Sequence, residues 1–322
     1  MRKRAIYLFL AAAAFATGCV KWEGGIVNNS ISFSPVASKT TRSIIDGTTY
    51  PTSESFTVSA FHDGTDAYFE NLTATYSSSL TLWATDEDQF WPLSGSLSFI
   101  AYSPASASAE IDATAGVTAT SYTIQTAAQM TTDFCYASAS VADCAAHPEY
   151  VPLNFSHALS QIVFRVKAAD YYSTASNTVT LTLNSLSLSG IYAKGDFADE
   201  EWSNQNTEYD YPLSSAVTPL TYDGSNKPET IDVCSFLFIP QTLGPNATLS
   251  VGFGVIQNIA GVENSLEQPP MNIPMTTGTV TEWQPGKKYI YTLNIGMDKN
   301  VKISASTVGW TDRPYEIIVE EN

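Results

Sequence analysis

Short apolar runs separated by turn residues recur along almost the whole chain, and this pattern limits the folds that the sequence can adopt. Such runs have the usual length of β-strands and are too short for most helices. In residues 179–183 threonine alternates with apolar residues, which is the period-two pattern of a half-buried strand. Asp63-Gly64 and Pro285-Gly286 are typical turn pairs between runs. The predicted strands are residues 56–61, 80–84, 97–102, 162–166, 179–188, 236–239, 249–256, 289–295, 301–308 and 315–319.

The number and spacing of these strands predict an all-β protein made of two β-sandwiches. Residues 194–211 are polar and acidic, and we interpret them as the linker. This interpretation gives an N-terminal domain over residues 43–195 and a C-terminal domain over residues 196–322. A break near His147-Pro148 is the alternative. Short helices are predicted only around residues 126–130 and 137–146.

The amino terminus has the three-part layout of a secretory signal. The cations Arg2, Lys3 and Arg4 precede an apolar run that is shorter than the roughly 20 residues needed to span a bilayer core. Small residues then lead to Gly18-Cys19, which resembles a lipobox, although Ala16 stands where leucine is commonest. We therefore predict a signal peptide over residues 1–18 and a diacylglycerol thioether on Cys19. A plain signal peptide with a chance cysteine is the alternative.

The charge balance excludes some partners. Lys and Arg number 15 against 32 Asp and Glu, which gives a formal net charge of −17. Such a surface repels phosphates, so a role in nucleic-acid binding is excluded. The aromatic fraction of 12% indicates a folded chain, because disordered chains are poor in aromatic residues.

Three cysteines remain beyond Cys19. Cys135 and Cys144 are close in sequence, and export through an oxidising compartment favours a disulfide between them. Closing so short a loop would stabilise the fold by about 2 to 3 kcal/mol. Cys234 lies in an apolar run and is predicted to be a buried free thiol. No paired C-x-x-C spacing exists, so no metal site is expected from the cysteines.

Several short sequence segments of this chain occur together in one known family. They are Phe90-Trp91-Pro92-Leu93, residues 97–104, residues 151–162, Phe238-Ile239-Pro240-Gln241, residues 283–293 and Val308-Gly309-Trp310. In this order they resemble the fimbrillin-like proteins (type V pilins) of Bacteroidetes. The resemblance implies two transthyretin-like β-sandwich domains, no enzymatic activity and no cofactor. It also implies a structural subunit of a surface fimbrium at the outer membrane, which polymerises with other fimbrial subunits and supports adhesion or biofilm formation.

The resemblance further implies how such a subunit matures. The lipoprotein precursor is cut after an arginine by a trypsin-like protease, which removes the lipidated segment together with the first strand. Arg42 is the only arginine between Arg4 and Arg165, and small polar residues surround it. We therefore expect a cut between Arg42 and Ser43, with residues 19–42 as the propeptide. An uncut, solvated Arg42 is the alternative.

In the family, a C-terminal strand of a neighbouring subunit fills the groove that the cut exposes. Tyr315, Ile317 and Val319 lie on one face of the last predicted strand and are the candidate donor residues. Three such anchors would contribute roughly 5 to 9 kcal/mol. The alternative is that this segment is the last strand of its own domain.

Other functions have weaker support in the sequence. His62, His147 and His157 are the only histidines, and no motif of a known hydrolase or phosphate-binding loop is present. The acidic residues 86–88 and 196–201 match no defined calcium loop, and acidic runs of this kind are usually solvated. The rival function is a surface lipoprotein that does not polymerise and binds a glycan or a host protein through exposed tryptophans. Tryptophans in β-sandwiches are more often core residues.

Overall fold

The computed structural model describes residues 29–37, 50–168, 177–214, 220–222, 230–276, 280–296 and 301–310. The predicted all-β class is confirmed, since this part of the chain contains strands and two single-turn 3-10 helices but no α-helix. The strands, in chain order, are β1 (Phe33–Ala37), β2 (Phe56–His62), β3 (Asp66–Ser77), β4 (Leu82–Thr85), β5 (Leu97–Ser103), β6 (Glu110–Asp112), β7 (Gly116–Thr123), β8 (Cys135–Val141), β9 (Val151–His157), β10 (Ser160–Ala168), β11 (Asn177–Ala198), β12 (Glu201–Ser214), β13 (Leu220–Tyr222), β14 (Ile231–Phe238), β15 (Gln241–Thr242), β16 (Thr248–Ile259), β17 (Val262–Pro274), β18 (Glu282–Trp283), β19 (Lys287–Ile295) and β20 (Val301–Gly309).

The first unit is a closed barrel. Its seven strands follow the order β1-β4-β3-β2-β5-β8-β9, and β1 returns to pair with β9. Along β9 every second residue is buried, because alternate side chains of a strand point to opposite faces of the sheet. Large aromatic side chains fill the interior, including Phe33, Tyr50, Phe56, Phe99 and Phe155.

The second unit is a pair of packed sheets. One sheet has the order β14-β10-β19-β20, and the other has the order β17-β16-β11-β7-β6, with β12 and β13 also paired to β11. Apolar residues of both sheets form a single core, for example Phe164 and Tyr291 from the first and Leu181 and Val251 from the second. This is the two-layer arrangement of a β-sandwich.

The chain passes between the two units more than once. After β5 it leaves the barrel, adds β6 and β7 to the large sheet of the second unit, and returns to the barrel as β8. The last crossing from the barrel to the second unit lies between His157, the last residue of β9, and Ser160, the first residue of β10. The two units are therefore interleaved in sequence, and their junction will be called the seam.

The predicted domain boundary between residues 195 and 196 is wrong. Strand β11 (Asn177–Ala198) runs through it without a break, and the polar residues 201–211 belong to the following strand β12. These residues look like a linker because many side chains of β12 are exposed, whereas Tyr211 on the same strand is buried. The alternative break near His147-Pro148 lies closer to the seam.

Most predicted strands are confirmed, but the two predicted helices have different outcomes. A 3-10 helix at Gln129–Thr131 overlaps the first predicted helix. The second prediction is wrong over residues 137–141, which belong to β8 (Cys135–Val141), but a 3-10 helix at Cys144–Ala146 overlaps its end. The finer assignment of two transthyretin-like sandwiches stays a prediction, since the sheet of the first unit closes into a barrel. Within the described residues no helix has the length and apolarity to span a bilayer.

Candidate functional site: strand β1 and the seam

Strand β1 is held mainly by one neighbour. It pairs in parallel with β9 over five residues, from Phe33 opposite Val151 to Ala37 opposite Phe155. On its other side Phe33 alone is paired with β4, through Trp83. All other neighbouring strands of the barrel pair antiparallel, so the β1–β9 pair is the one parallel pair in the described barrel.

The side chains of the β1 segment complete the barrel core. Ile31, Phe33 and Pro35 are buried, whereas Val36 is exposed. The Phe33 ring contacts Phe56 and Phe99 edge-to-face, with ring centroids 5.7 and 5.8 Å apart. Burying one such aromatic side chain contributes about 1.5 to 3 kcal/mol. Phe33 therefore supplies the centre of the barrel from a strand whose main pairing partner, β9, lies far away in the sequence.

Without β1 the barrel would contain an apolar groove between β4 and β9. Val151, Leu153 and Phe155 of β9 point inward along one wall, and Trp83 of β4 lies on the other. Both walls would then expose unpaired backbone N–H and C=O groups, which bind an extended peptide as an added strand. The geometry thus provides a strand-binding site that β1 occupies.

A second group of polar residues is buried at the seam. Nδ1 of His157 lies 2.7 Å from Oδ2 of Asp133 and 3.5 Å from Sγ of Cys135. The His157 ring stacks on Trp310, the residue after β20, with ring centroids 3.8 Å apart. All four side chains are buried. The stack therefore fixes the end of the last described strand against the end of β9.

The seam group is poorly suited to nucleophilic catalysis. In a catalytic relay the acid and the nucleophile contact different nitrogens of the histidine. Here Asp133 and Cys135 approach the same nitrogen of His157. Burial, followed by the nearby negative Asp133, raises the pKa of the Cys135 thiol well above its usual value, so the reactive thiolate does not form near neutral pH. These three residues are also the one convergent set of metal-ligand types in the described part of the chain.

A family model described as fimbrillin-like matches residues 41–310. The chain belongs to the fimbrillin-like family.

Solved structures similar to this fimbrillin-like chain share its fold. A fimbrial protein from Bacteroides vulgatus is 15% identical, with a TM-score of 0.60, and the match covers 88% of this chain and 100% of that one. A candidate cell adhesion protein from Bacteroides uniformis is 14% identical, with a TM-score of 0.50, covering 89% and 100%. No curated protein sequence matches the chain.

Most of the predicted site residues of the fimbrillin-like chain lie outside the described residues. These are Cys19, Arg42, Ser43, Tyr315, Ile317 and Val319, and their roles stay predictions. The described residues on either side of Arg42 are Ala37, at the end of β1, and Tyr50, which is buried in the barrel core. The described chain ends at Trp310, before the candidate donor strand.

The predicted disulfide between Cys135 and Cys144 is contradicted, because both thiols are free. Strand β8 begins at Cys135 and extends over about 20 Å to Val141, and Cys144 lies beyond the far end of this strand, in the 3-10 helix Cys144–Ala146. A disulfide requires Cα atoms less than about 7 Å apart. Cys234 is a free thiol, as predicted, and burial raises its pKa to about 12.

The described tryptophans are packed side chains, as the core interpretation predicts. Trp83, Trp91, Trp283 and Trp310 are buried, and Trp202 packs against the seam while donating a hydrogen bond to the carbonyl of Ala158. They offer no exposed ring for stacking on a sugar. The glycan-binding function therefore loses the described residues on which it was based, and Trp22 lies outside the described residues.

The seam group was not predicted from the sequence, although the sequence contains a signal for it. Val151, Leu153, Phe155 and His157 occupy the inward positions of the alternating strand β9. A histidine at the fourth inward position indicates a buried polar partner, because an unpaired buried polar group is costly. The sequence does not show that the partner is Asp133, which is 24 residues away.

The state of the cysteines can be tested by thiol titration. We expect Cys135, Cys144 and Cys234 all to react with Ellman's reagent when the Cys19→Ser chain is purified without reductant and then unfolded. In the folded chain at pH 8 Cys135 should not react, because its raised pKa leaves it protonated and its side chain is fully buried. A Cys234→Ala variant is the control and should lose one reactive thiol. A single reactive thiol in the unfolded parent chain would mean that Cys135 and Cys144 are bonded after all.

Proposed function

We propose that this chain is a structural subunit of a surface fimbrium, exported as a precursor lipidated on Cys19 and assembled by strand exchange. The observation that carries the proposal is the position of β1. It fills the centre of the barrel with Phe33, it has only one extensively paired neighbour, and it ends five residues before Arg42. A strand of this kind can be replaced by a strand of similar pattern from another molecule.

Cleavage after Arg42 would change how β1 is held. In the intact chain, β1 is joined covalently to Tyr50, which is itself packed against Phe56 and Phe155. After the cut, only the contacts with β9, β4 and the barrel core would retain it. Rebinding would then depend on concentration, because a strand that leaves the groove is no longer tethered to it.

The C-terminal segment has the pattern that the groove requires. Tyr315, Ile317 and Val319 are spaced two residues apart, as are the buried residues Ile31, Phe33 and Pro35 of the β1 segment. Two such sets place their side chains on one face of an extended strand. The donor segment of one subunit therefore matches the groove in a second subunit.

Partners and location follow from the same account. The partners are other fimbrial subunits, in a homopolymer or a heteropolymer, and the lipid on Cys19 attaches the precursor to the outer membrane. Membership of the fimbrillin-like family and the similarity to a fimbrial protein support this role at the cell surface, with adhesion or biofilm formation as its result. The protein is not an enzyme. The protonated Cys135 thiol supports this, as does the approach of Asp133 and Cys135 to the same nitrogen of His157.

Processing is tested by replacing the arginine at the proposed cut. In cells, we expect Arg42→Ala to abolish the ladder of polymers on an unboiled gel and to leave an N-terminus at Cys19. The control Lys39→Ala removes a nearby cation but keeps the arginine, and it should give a normal ladder with an N-terminus at Ser43. A normal ladder from Arg42→Ala would overturn cleavage-dependent assembly.

The donor strand is tested by one substitution on each of its faces. Ile317→Asp places a charge on the face of Tyr315 and Val319, and we expect it to abolish polymers while the purified monomer keeps the thermal transition of the parent. Ile318→Asp makes the same change on the opposite face and should polymerise normally. If Ile317→Asp instead unfolds the isolated monomer, the segment belongs to its own domain.

A further inference from the structure

Exposed apolar side chains are concentrated at the end of the barrel that lies away from the seam. Leu93 is 91% exposed and Phe90 is 52% exposed, and Tyr68 and Tyr150 are also exposed. All four lie where β2 ends and where β3, β5 and β9 begin. We call these four residues the outer-end patch. Apolar groups presented together in this way indicate a surface that contacts a partner or a membrane.

The outer-end patch is held in place by the residues beneath it. The hydroxyl of Tyr68 donates a hydrogen bond to the carbonyl of Phe90, at 2.6 Å. The buried Trp91 stacks on His147 with ring centroids 4.8 Å apart and an interplanar angle of 4°. Leu93 therefore projects from a fixed loop.

The chain from Cys19 enters the structure beside this patch. The backbone N–H of Trp91 donates a hydrogen bond to the carbonyl of Asn29, and Ser30 is paired with Phe90. The ten residues from Cys19 to Asn29 can span at most about 35 Å. Acyl chains on Cys19 would therefore keep the outer-end patch within that distance of the membrane.

We propose that the outer-end patch rests on the lipid surface into which the acyl chains of Cys19 are inserted. The proposal depends on the lipidation of Cys19 given under the proposed function. The short connection raises the local concentration of lipid at the patch, so side chains that would bind a membrane weakly alone do so when tethered. Leu93 and Phe90 enter the interface, while Tyr68 and Tyr150 lie at the headgroup level, which tyrosine favours. The seam and the second unit then point away from the membrane.

The charges around the patch determine which lipids it accepts. Asp63, Asp143 and Glu149 lie at the same end of the barrel, because Asp63 follows β2, Asp143 follows β8 and Glu149 precedes β9. The backbone N–H of Ser96 holds the pKa of Asp63 below its usual value, so this carboxylate stays charged. Residues 43–164 contain no lysine or arginine that could offset these charges. The lipid surface is therefore one with zwitterionic headgroups, and anionic lipids weaken the contact.

The contact can be tested with an environment-sensitive NBD fluorophore at position 93. The full lipidated chain carrying Leu93→Cys, in a Cys234→Ala background, is labelled and reconstituted in phosphatidylcholine vesicles. Val262→Cys is the matched control, because Val262 is 63% exposed and begins β17 in the second unit, away from the outer-end patch. We expect the emission at position 93 to move to shorter wavelength and to rise several-fold, and the emission at position 262 to stay as in water. Replacing half of the lipid with phosphatidylglycerol should reduce the change at position 93.

Three results would overturn the proposal, and they are distinguishable. Mass spectrometry of the N-terminal peptide is done first, because a Cys19 without acyl chains removes the lipidation on which both proposals depend. If Cys19 is acylated and position 93 still emits as in water, the patch does not touch lipid and the proposed function stands. If the Cys19→Ser chain shows the same shift at position 93 without vesicles, protein covers the patch.

Discussion

The packing of Phe33 into the middle of the barrel is the contact on which the first unit depends. Its ring meets Phe56 of β2 and Phe99 of β5, so one side chain from β1 joins strands on the far side of the barrel. The backbone of β1 closes the sheet by parallel pairing with β9 and by one pair with β4. The barrel core and the closure of its sheet therefore depend on a strand that contributes few backbone contacts of its own.

This arrangement connects the two ends of the molecule to one another. Strand β9, which holds β1, ends at His157, and His157 stacks on Trp310 at the end of β20. The groove that β1 occupies and the end of the last described strand are thus attached to the same strand, β9. On the N-terminal side of β1, Asn29 and Ser30 lie against the loop that carries Leu93. The paired strands β1 and β9 therefore link the start of the described chain, the groove and the seam.

The sequence predicts local features of this fold better than long-range ones. Short apolar runs identified strands such as β2 and β5, and period-two alternation identified part of β11, because both signals depend only on neighbouring residues. They could not show that β11 crosses the boundary assigned at residue 195, or that β6 and β7 join the second unit, because both depend on pairing between distant segments. The disulfide prediction failed because Cys135 and Cys144 are close in sequence but separated by an extended strand. Likewise, the position of Arg42 suggested a removable N-terminal segment, whereas only the structure shows that Phe33 of this segment lies in the centre of the barrel.

The most direct test of the account is to lock β1 in its groove with a reversible bond. Val36 of β1 is paired with Asn154 of β9, and both side chains are exposed, so Val36→Cys with Asn154→Cys should form a disulfide across the two strands. The purified, Arg42-cleaved subunit of this variant should remain monomeric when oxidised and should polymerise when a reductant is added. Polymers that form equally well under oxidising conditions, with the disulfide confirmed by mass spectrometry, would contradict the exchange of β1.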